Sequence, residues 1–283
     1  MRILVTGAAG QLGHDLVAAC RREGDDVVAA DRATLDIGDR DQVAAVVGAA
    51  MPDVVVNCAA WTAVDACESD PERAQRVNGD AVAWLRQSCD HVGAHLVQIS
   101  TDYVFDGTLD RPYVETDPTG PQSVYGRSKL AGEQAAGPDA TIVRTSWVCG
   151  EAGGNMVKTV LRLSAERDSL SFVDDQRGCP TFTADLAPLV RRLAVERPSG
   201  VFHATNQGAV SWYEFVRDIV DAAGRDPGMV HPIATADLDP PRPAPRPANS
   251  VLDNAALRTA GIPLLRDYRE PLAELVDRLL QVG

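Results

Sequence analysis

The chain has 283 residues, 45% hydrophobic and 24% charged, with a net charge of −13. That is the balance of a globular protein able to bury a large core, as one sizeable domain or two modest ones. The negative charge argues against nucleic acid or an anionic membrane as the main partner, but an anionic small ligand can bind where helix N-termini and basic groups gather. Six cysteines, at positions 20, 58, 67, 89, 149 and 179, form no CxxC pair, so buried thiols are expected rather than disulfides or zinc. No secretory pattern follows Met1, and no apolar run approaches the ~18 residues of a membrane span, so a cytoplasmic protein without a membrane partner is expected.

Arg2 to Thr6 is a short buried-strand pattern that runs into Gly7-Ala8-Ala9-Gly10-Gln11-Leu12-Gly13, followed by a helical run from His14 to Glu23. Glycines on a strand-to-helix turn let the backbone approach a pyrophosphate while the helix N-terminus faces its charge, which predicts dinucleotide binding by Gly7, Gly10, Gln11, Leu12 and Gly13. The spacing is GxxGxxG, and a merely tight turn is the alternative.

A second strand, 25–30, ends at Asp31-Arg32. An acid here suits the adenosine ribose hydroxyls of NAD and an arginine suits the extra phosphate of NADP, so the pair leaves the choice open. Asp36-Ile37 is a further acid-apolar pair, and a helix is expected over 40–50. The strand over 52–57 ends in small residues, Cys58-Ala59-Ala60, and Trp61, which suit either a flat ligand or core packing.

Helical sequence over 71–91 leads to a strand over 95–100, and the repeated β-α-β order predicts a doubly wound parallel sheet of Rossmann type, with ligands at the strand C-termini. That strand delivers Thr101 and then Tyr103. After a loop rich in proline and glycine comes Ser123-Val124-Tyr125-Gly126-Arg127-Ser128-Lys129, where Tyr125 and Lys129 fall four apart on one helical face. A phenol with an ordinary pKa of about 10 is a poor acid, and a nearby ammonium favours its anion. A glycine turn, an acid, a strand-tip hydroxyl and a Tyr/Lys pair in this order point to hydride transfer with Thr101, Tyr125 and Lys129 as catalytic residues.

The second half is less regular. Helices are expected over 155–167, 185–196, 254–260 and 271–280, a strand over 200–204, and an extended proline-rich segment over 240–247. His203 sits in an apolar strand and is read as packed. The five histidines show no metal-ligand spacing, so no metal site is assigned.

The phrases GAAGQLG (7–13), PDVVVNCAAWTAVDACE (52–68), STDYVFDG (100–107), VYGRSKLAGE (124–133), VRTSWV (143–148), VDDQRGCPT (173–181) and RPANS (246–250) resemble the extended short-chain dehydrogenase/reductases, and within them the dTDP-4-dehydrorhamnose reductases. The resemblance spans nearly the whole chain. It implies a Rossmann domain over 1–148, its sheet completed by parts of 182–222, and a smaller, discontinuous α+β lobe, mainly 149–283, that closes over a nucleotide sugar. It also implies that NADPH or NADH reduces the C4 ketone of a dTDP-linked 4-keto-6-deoxyhexose. In that reading Tyr125 supplies the proton, Lys129 lowers the tyrosine pKa and holds the nicotinamide ribose, and Thr101 bonds the carbonyl oxygen. Tyr103, Trp147, Asn155, Gln176, Thr181 and Arg246 match substrate-side positions. A related reductase of another dTDP-sugar and a regulatory subunit without turnover are the other readings.

Two departures stand out. Many relatives read SWVYG where this chain has Ser146-Trp147-Val148-Cys149-Gly150. Some relatives also dimerise through magnesium held by glutamates, where this chain has the shorter Asp15 and Asp185. Magnesium is therefore not carried over, and monomer and homodimer both stay open.

Overall fold

A computed structural model describes residues 1–282. The first half alternates as expected: β1 (Arg2–Thr6), α1 (Gln11–Arg22), β2 (Asp26–Ala30), α2 (Arg40–Ala50) and β3 (Val54–Asn57). Two short helices, α3 (Val64–Ser69) and α4 (Pro71–Gln75), precede a π-helical turn over Arg76–Asp80 and then α5 (Ala81–Val92). After them come β4 (His95–Thr101), α6 (Val124–Ala136) and β5 (Thr141–Thr145).

The second half contributes β6 (Val148–Cys149), α7 (Met156–Glu166), β7 (Leu170–Val173), β8 (Arg177–Gly178), β9 (Thr181–Phe182), α8 (Thr183–Glu196), β10 (Gly200–His203), β11 (Val210–Ser211), α9 (Trp212–Ala222), β12 (Val230–Ile233), α10 (Ala255–Thr259) and α11 (Arg269–Val282).

Six strands form one sheet in the order β10-β5-β4-β3-β1-β2, and every pairing is parallel. The strands are apolar throughout because both faces are covered. Ile3, Val5, Val54, Val56, Val97 and Val143 pack on the side of α1 and α8, while Leu4, Val55, Leu96 and Ile142 pack on the side of α2 and α5. From β1 the chain goes first to β2 on one side and then to β3 on the other, so the strand order reverses between β1 and β3. Such a reversal leaves a crevice at the strand C-termini, where ligands bind in open α/β sheets.

The sixth strand, β10, comes from the second half of the chain and pairs with β5. A separate core, built around Phe215, Ile219, Tyr268 and Val276, holds α7, α9, α11 and the parallel β7/β12 pair. His203 is fully buried, its Nδ1 within 3.1 Å of the Tyr113 carbonyl and 3.0 Å of the Asp253 carbonyl, and burial pushes its pKa down to about 3. Two carbonyl partners require Nδ1 to carry the hydrogen, so the imidazole is a neutral structural donor. Among the described residues no helix is long and apolar enough to cross a membrane.

Two glycines set the depth at which α6 is seated. A Cβ on Gly126 would collide with the Tyr103 carbonyl oxygen, and one on Gly132 with the Asn78 carbonyl oxygen. We expect Gly132→Ala to destabilise the protein by about 1–3 kcal/mol, as overpacking does against unyielding backbone. Gly48→Ala, in the exposed part of α2 with open space around it, should raise stability by about 0.5–1 kcal/mol through helix propensity. Denaturant midpoints of the two variants would measure these opposite signs, and a neutral Gly132→Ala would remove the close-approach argument.

Candidate active site

The β1–α1 turn forms a cradle. Gly7 has φ +64°, in the left-handed region, and a Cβ there would lie 2.7 Å from the Ala59 amide nitrogen. Gly10 caps α1 without a side-chain bond, and no acid stands in the first turn, so the N-terminal amides are left for a ligand and for water. Leu12 and Gly13 are buried beneath the turn and hold it, rather than lining the cleft. Gln11 turns toward the second half: its Oε1 accepts from the Gly150 amide and from Asn155 Nδ2, both at 3.0 Å. A side-chain-free turn at a helix N-terminus fits the pyrophosphate of a dinucleotide.

A cleft of about 350 Å³ extends from this turn. Gly7, Gly10, Asp31, Arg32, Asp36, Ile37, Ala59, Ala60 and Trp61 all border it, so most of the residues expected to hold a cofactor converge. One Asp31 oxygen is already engaged: Oδ1 accepts from the amides of Ala33 and Thr34, at 3.0 and 3.1 Å, and from the Thr34 hydroxyl at 3.0 Å. The Thr34 hydroxyl and amide bonds hold its carboxyl below the usual range. Asp36 Oδ1 accepts from the Gly38 amide at 2.9 Å. Arg32 and Arg76 border the same cleft, and among the described residues neither pairs with a carboxylate. Arg73 lies over the Trp61 ring, 4.3 Å from its centroid.

The side chains expected to react, Thr101, Tyr125 and Lys129, lie where β4 and α6 meet. Ser123 caps α6, its Oγ accepting from the Gly126 amide at 3.1 Å. Tyr125 is buried and meets the Tyr103 ring edge to face at 5.8 Å. Burial pushes its phenol above the ordinary value, Asp102 and Tyr103 add to the rise, and the adjacent Thr101 hydroxyl opposes it. Lys129 Nζ donates to the Ile99 carbonyl at 2.6 Å, and burial lowers its pKa to about 8. Thr101 Oγ donates to Asp102 Oδ1 at 2.9 Å and accepts from the Tyr103 amide at 3.2 Å.

A second cleft of about 250 Å³ is bordered by Tyr103, Phe172, Gln176, Trp212, Arg242 and Arg246, three of them residues expected to meet the substrate. Trp147 stacks on Trp212 with centroids 3.5 Å apart and planes 8° apart, from a left-handed backbone at φ +46°. Gln176 donates to Thr235 Oγ1 at 2.8 Å. Arg246 forks onto Asp65, with Nη–O distances of 2.5 and 2.8 Å. The remaining two positions are structural in geometry. Thr181 is fully buried and donates to the Cys179 carbonyl at 3.3 Å, and Asn155 caps α7 while bonding Gln11 and the Gly150 carbonyl. Cys149 is buried, with its thiol pushed up to about 12 by desolvation, an inert position. Asp15 is engaged by Thr183 and His14, and Asp185 by Asn206 and Arg266.

Several residues of this site carry no sequence signal of their own. Asn78, in the π-helical turn, accepts from the Trp61 amide at 2.8 Å and donates to the Trp61 carbonyl at 3.1 Å and to Ser128 Oγ at 3.0 Å, tying the cofactor cleft to α6. Asp65 and Trp212 are likewise visible only as partners of Arg246 and Trp147. Glu133 and Arg144 form a buried two-point ion pair at 2.9 and 2.7 Å, one helical turn beyond Lys129, and Glu133 opposes the fall in the Lys129 pKa. The i, i+4 spacing from Tyr125 through Lys129 to Glu133 is the one pattern that could have exposed it.

The sequence profile of the family described as the RmlD substrate binding domain matches residues 1–281. The chain belongs to this family. Among RmlD-family relatives, it is 47% identical over 282 residues to a Streptomyces griseus protein named dTDP-4-dehydrorhamnose reductase, covering 96% of this chain and 92% of that one. It is 44% identical over 282 residues to a Streptomyces niveus protein named dTDP-4-keto-6-deoxy-D-glucose reductase, covering 96% of both chains. A crystal structure of dTDP-4-dehydrorhamnose reductase from Bacillus anthracis in complex with NADP is 36% identical, with a TM-score of 0.93, and covers 98% of this chain and 99% of that one.

For this RmlD-family chain, Glu133→Gln should leave the Arg144 guanidinium buried without its counter-charge. The expected cost is about 3–5 kcal/mol, as for other half-removed buried pairs. Urea denaturation would read it, and a midpoint within error of the parent would mean that the pair contributes nothing to the fold.

Proposed function

We propose that this protein reduces the C4 ketone of dTDP-4-dehydro-L-rhamnose to dTDP-L-rhamnose, with NADPH as the hydride source. The observation that carries the reading is the Tyr125 phenol beside the Thr101 hydroxyl, with Lys129 bonded to the same strand at Ile99, on a chain of the RmlD family. The reduced nicotinamide supplies a hydride when bound. Gly7, Gly10 and the α1 N-terminus would hold the pyrophosphate, with Ala59, Ala60 and Trp61 along the cleft. Tyr125 gives its proton to the oxygen that becomes the C4 hydroxyl, and Thr101 donates a hydrogen bond to the same oxygen. Donors fixed in a dry site stabilise charge that appears only in the transition state. Lys129 places a positive charge beneath the reacting groups and reaches the nicotinamide ribose.

In this reading residues 1–148, with β10, form the cofactor-binding domain, and 149–283 form most of a discontinuous lobe over the nucleotide sugar. Tyr103, Gln176, Trp147 and Arg246 serve that sugar nucleotide directly. Asn155 and Thr181 act through the walls they build. The setting is cytoplasmic, where the reduced cofactor is plentiful. Reduction of another dTDP-4-keto-6-deoxy sugar is the second reading, favoured by the Streptomyces niveus relative and by Cys149 in place of an aromatic residue at the lobe boundary.

NADPH is the favoured cofactor because Arg32 and Arg76, unpaired with any carboxylate among the described residues, offer guanidiniums to a ribose phosphate, while one Asp31 oxygen is taken up by its own turn. Arg32→Ala should weaken NADPH binding about tenfold or more, the value of one charge-assisted bond of about 1.5 kcal/mol, and leave NADH nearly unaffected. Equal losses for both, measured by fluorescence titration, would argue against that contact. Tyr125→Phe should lower kcat by about 10²–10⁴-fold and preserve NADPH affinity. Nicotinamide oxidation followed optically with dTDP-4-keto sugars tests the function itself. A parent enzyme that turns over none of them would defeat the reductase reading.

A further inference from the structure

Among the described residues Asp102 is the one carboxyl group that hydrogen-bonds Thr101, and its surroundings are unusual. It is 2% exposed. Oδ1 accepts from Thr101, and Oδ2 is buried with no hydrogen-bond partner. No ammonium or guanidinium pairs with it among the described residues. The titratable groups that face it are Tyr103 from its own turn, Tyr125 from α6 and Cys179 from the β8–β9 segment, with the Ser250 hydroxyl alongside. The nearest cations are turned elsewhere: Lys129 to the Ile99 carbonyl, and Arg246 to Asp65 and toward Tyr103. A carboxylate with a dry, unpartnered oxygen is poorly solvated, and burial pushes the Asp102 pKa up to about 6.

The hydrogen inventory around Thr101 gives this a consequence. Thr101 has one hydroxyl hydrogen, and its oxygen already accepts from the Tyr103 amide. With Asp102 ionised, Oδ1 competes for that single hydrogen with the Tyr125 oxygen and with any substrate oxygen. With Asp102 protonated, the same 2.9 Å contact can run in the reverse direction, from carboxyl to hydroxyl.

We propose that Asp102 is a positioning residue which, when protonated, donates to Thr101 and so frees the Thr101 hydrogen for the carbonyl oxygen of the substrate. The inference rests on the reductase reading and deepens it, by stating what directs the Thr101 donor. The proton of Asp102 is shared in a hydrogen bond and never leaves the protein. The proton that enters the product comes from Tyr125.

The test compares kcat/KM across pH in the parent, Asp102→Asn, Thr101→Val and the double variant. Asparagine donates to Thr101 at every pH. The parent should therefore lose activity above the Asp102 ionisation, at about 6, with a slope approaching about tenfold per pH unit. Asp102→Asn should lack that limb, so that its activity relative to the parent rises with pH. In the Thr101→Val background, adding Asp102→Asn should change nothing in the profile. An Asn variant that keeps the parental limb, or an Asn effect that persists without the Thr101 hydroxyl, would overturn the inference while leaving the reductase reading intact. Infrared difference spectra of the parent minus Asp102→Asn need no turnover. They should show a protonated-carboxyl band that disappears as pH rises through the same range, and a carboxylate spectrum throughout would also overturn it. A parent inert toward all dTDP-4-keto sugars defeats the reductase reading instead.

Discussion

The depth at which α6 sits in the molecule governs the rest. Gly126 and Gly132 bring its backbone against the carbonyl oxygens of Tyr103 and Asn78, a distance that no Cβ permits. One contact fixes α6 to the tip of β4, where Thr101 and Asp102 emerge. The other fixes it to the π-helical turn that also bonds Trp61. Tyr125 and Lys129 are thereby aimed by backbone contacts, which are stiffer than side-chain packing. The irregular hydrogen bonding over Arg76–Asp80 belongs to the same arrangement, since π turns in α-helices cluster at functional sites.

That seating carries an electrostatic penalty. It buries a phenol, an ammonium and a carboxyl group within one region, and burial drives each toward its neutral form. The fold answers unevenly. Lys129 keeps a carbonyl partner and lies one turn from the Glu133–Arg144 pair, which is itself matched and lies under Phe105 at 5.0 Å. Tyr125 and Asp102 have no cationic partner among the described residues, and neutral hydroxyl, amide and thiol groups surround them. Below the Asp102 ionisation at about 6 the oxygens of the site hold protons while Lys129, at about 8, keeps its charge.

Much of this was legible in the residues. The apolar runs at 2–6, 54–57 and 95–101, separated by helical stretches, were readable as a parallel sheet because a strand covered on both faces has no polar side to confuse its pattern. The glycine turn and the Tyr125/Lys129 spacing were readable because each depends on local geometry alone. The second half was harder: β6, β8, β9 and β11 are two residues long and exist only through their partners. The same holds for Asp65, Asn78 and Trp212, whose meaning lies in contacts with residues distant in sequence. Thr181 and Asn155 resemble ligand contacts in sequence, yet their side chains are taken up by the architecture.

The Asp65–Arg246 pair joins α3 to the proline-rich segment across 181 positions of chain. It fastens the molecule at the mouth of its second cleft, with a fork whose donors are also the natural seat for a diphosphate. An anion directed at that guanidinium would meet a counter-ion already in place. Its affinity there would measure the difference between two pairings, and an anion unable to outcompete an intramolecular acid would gain nothing.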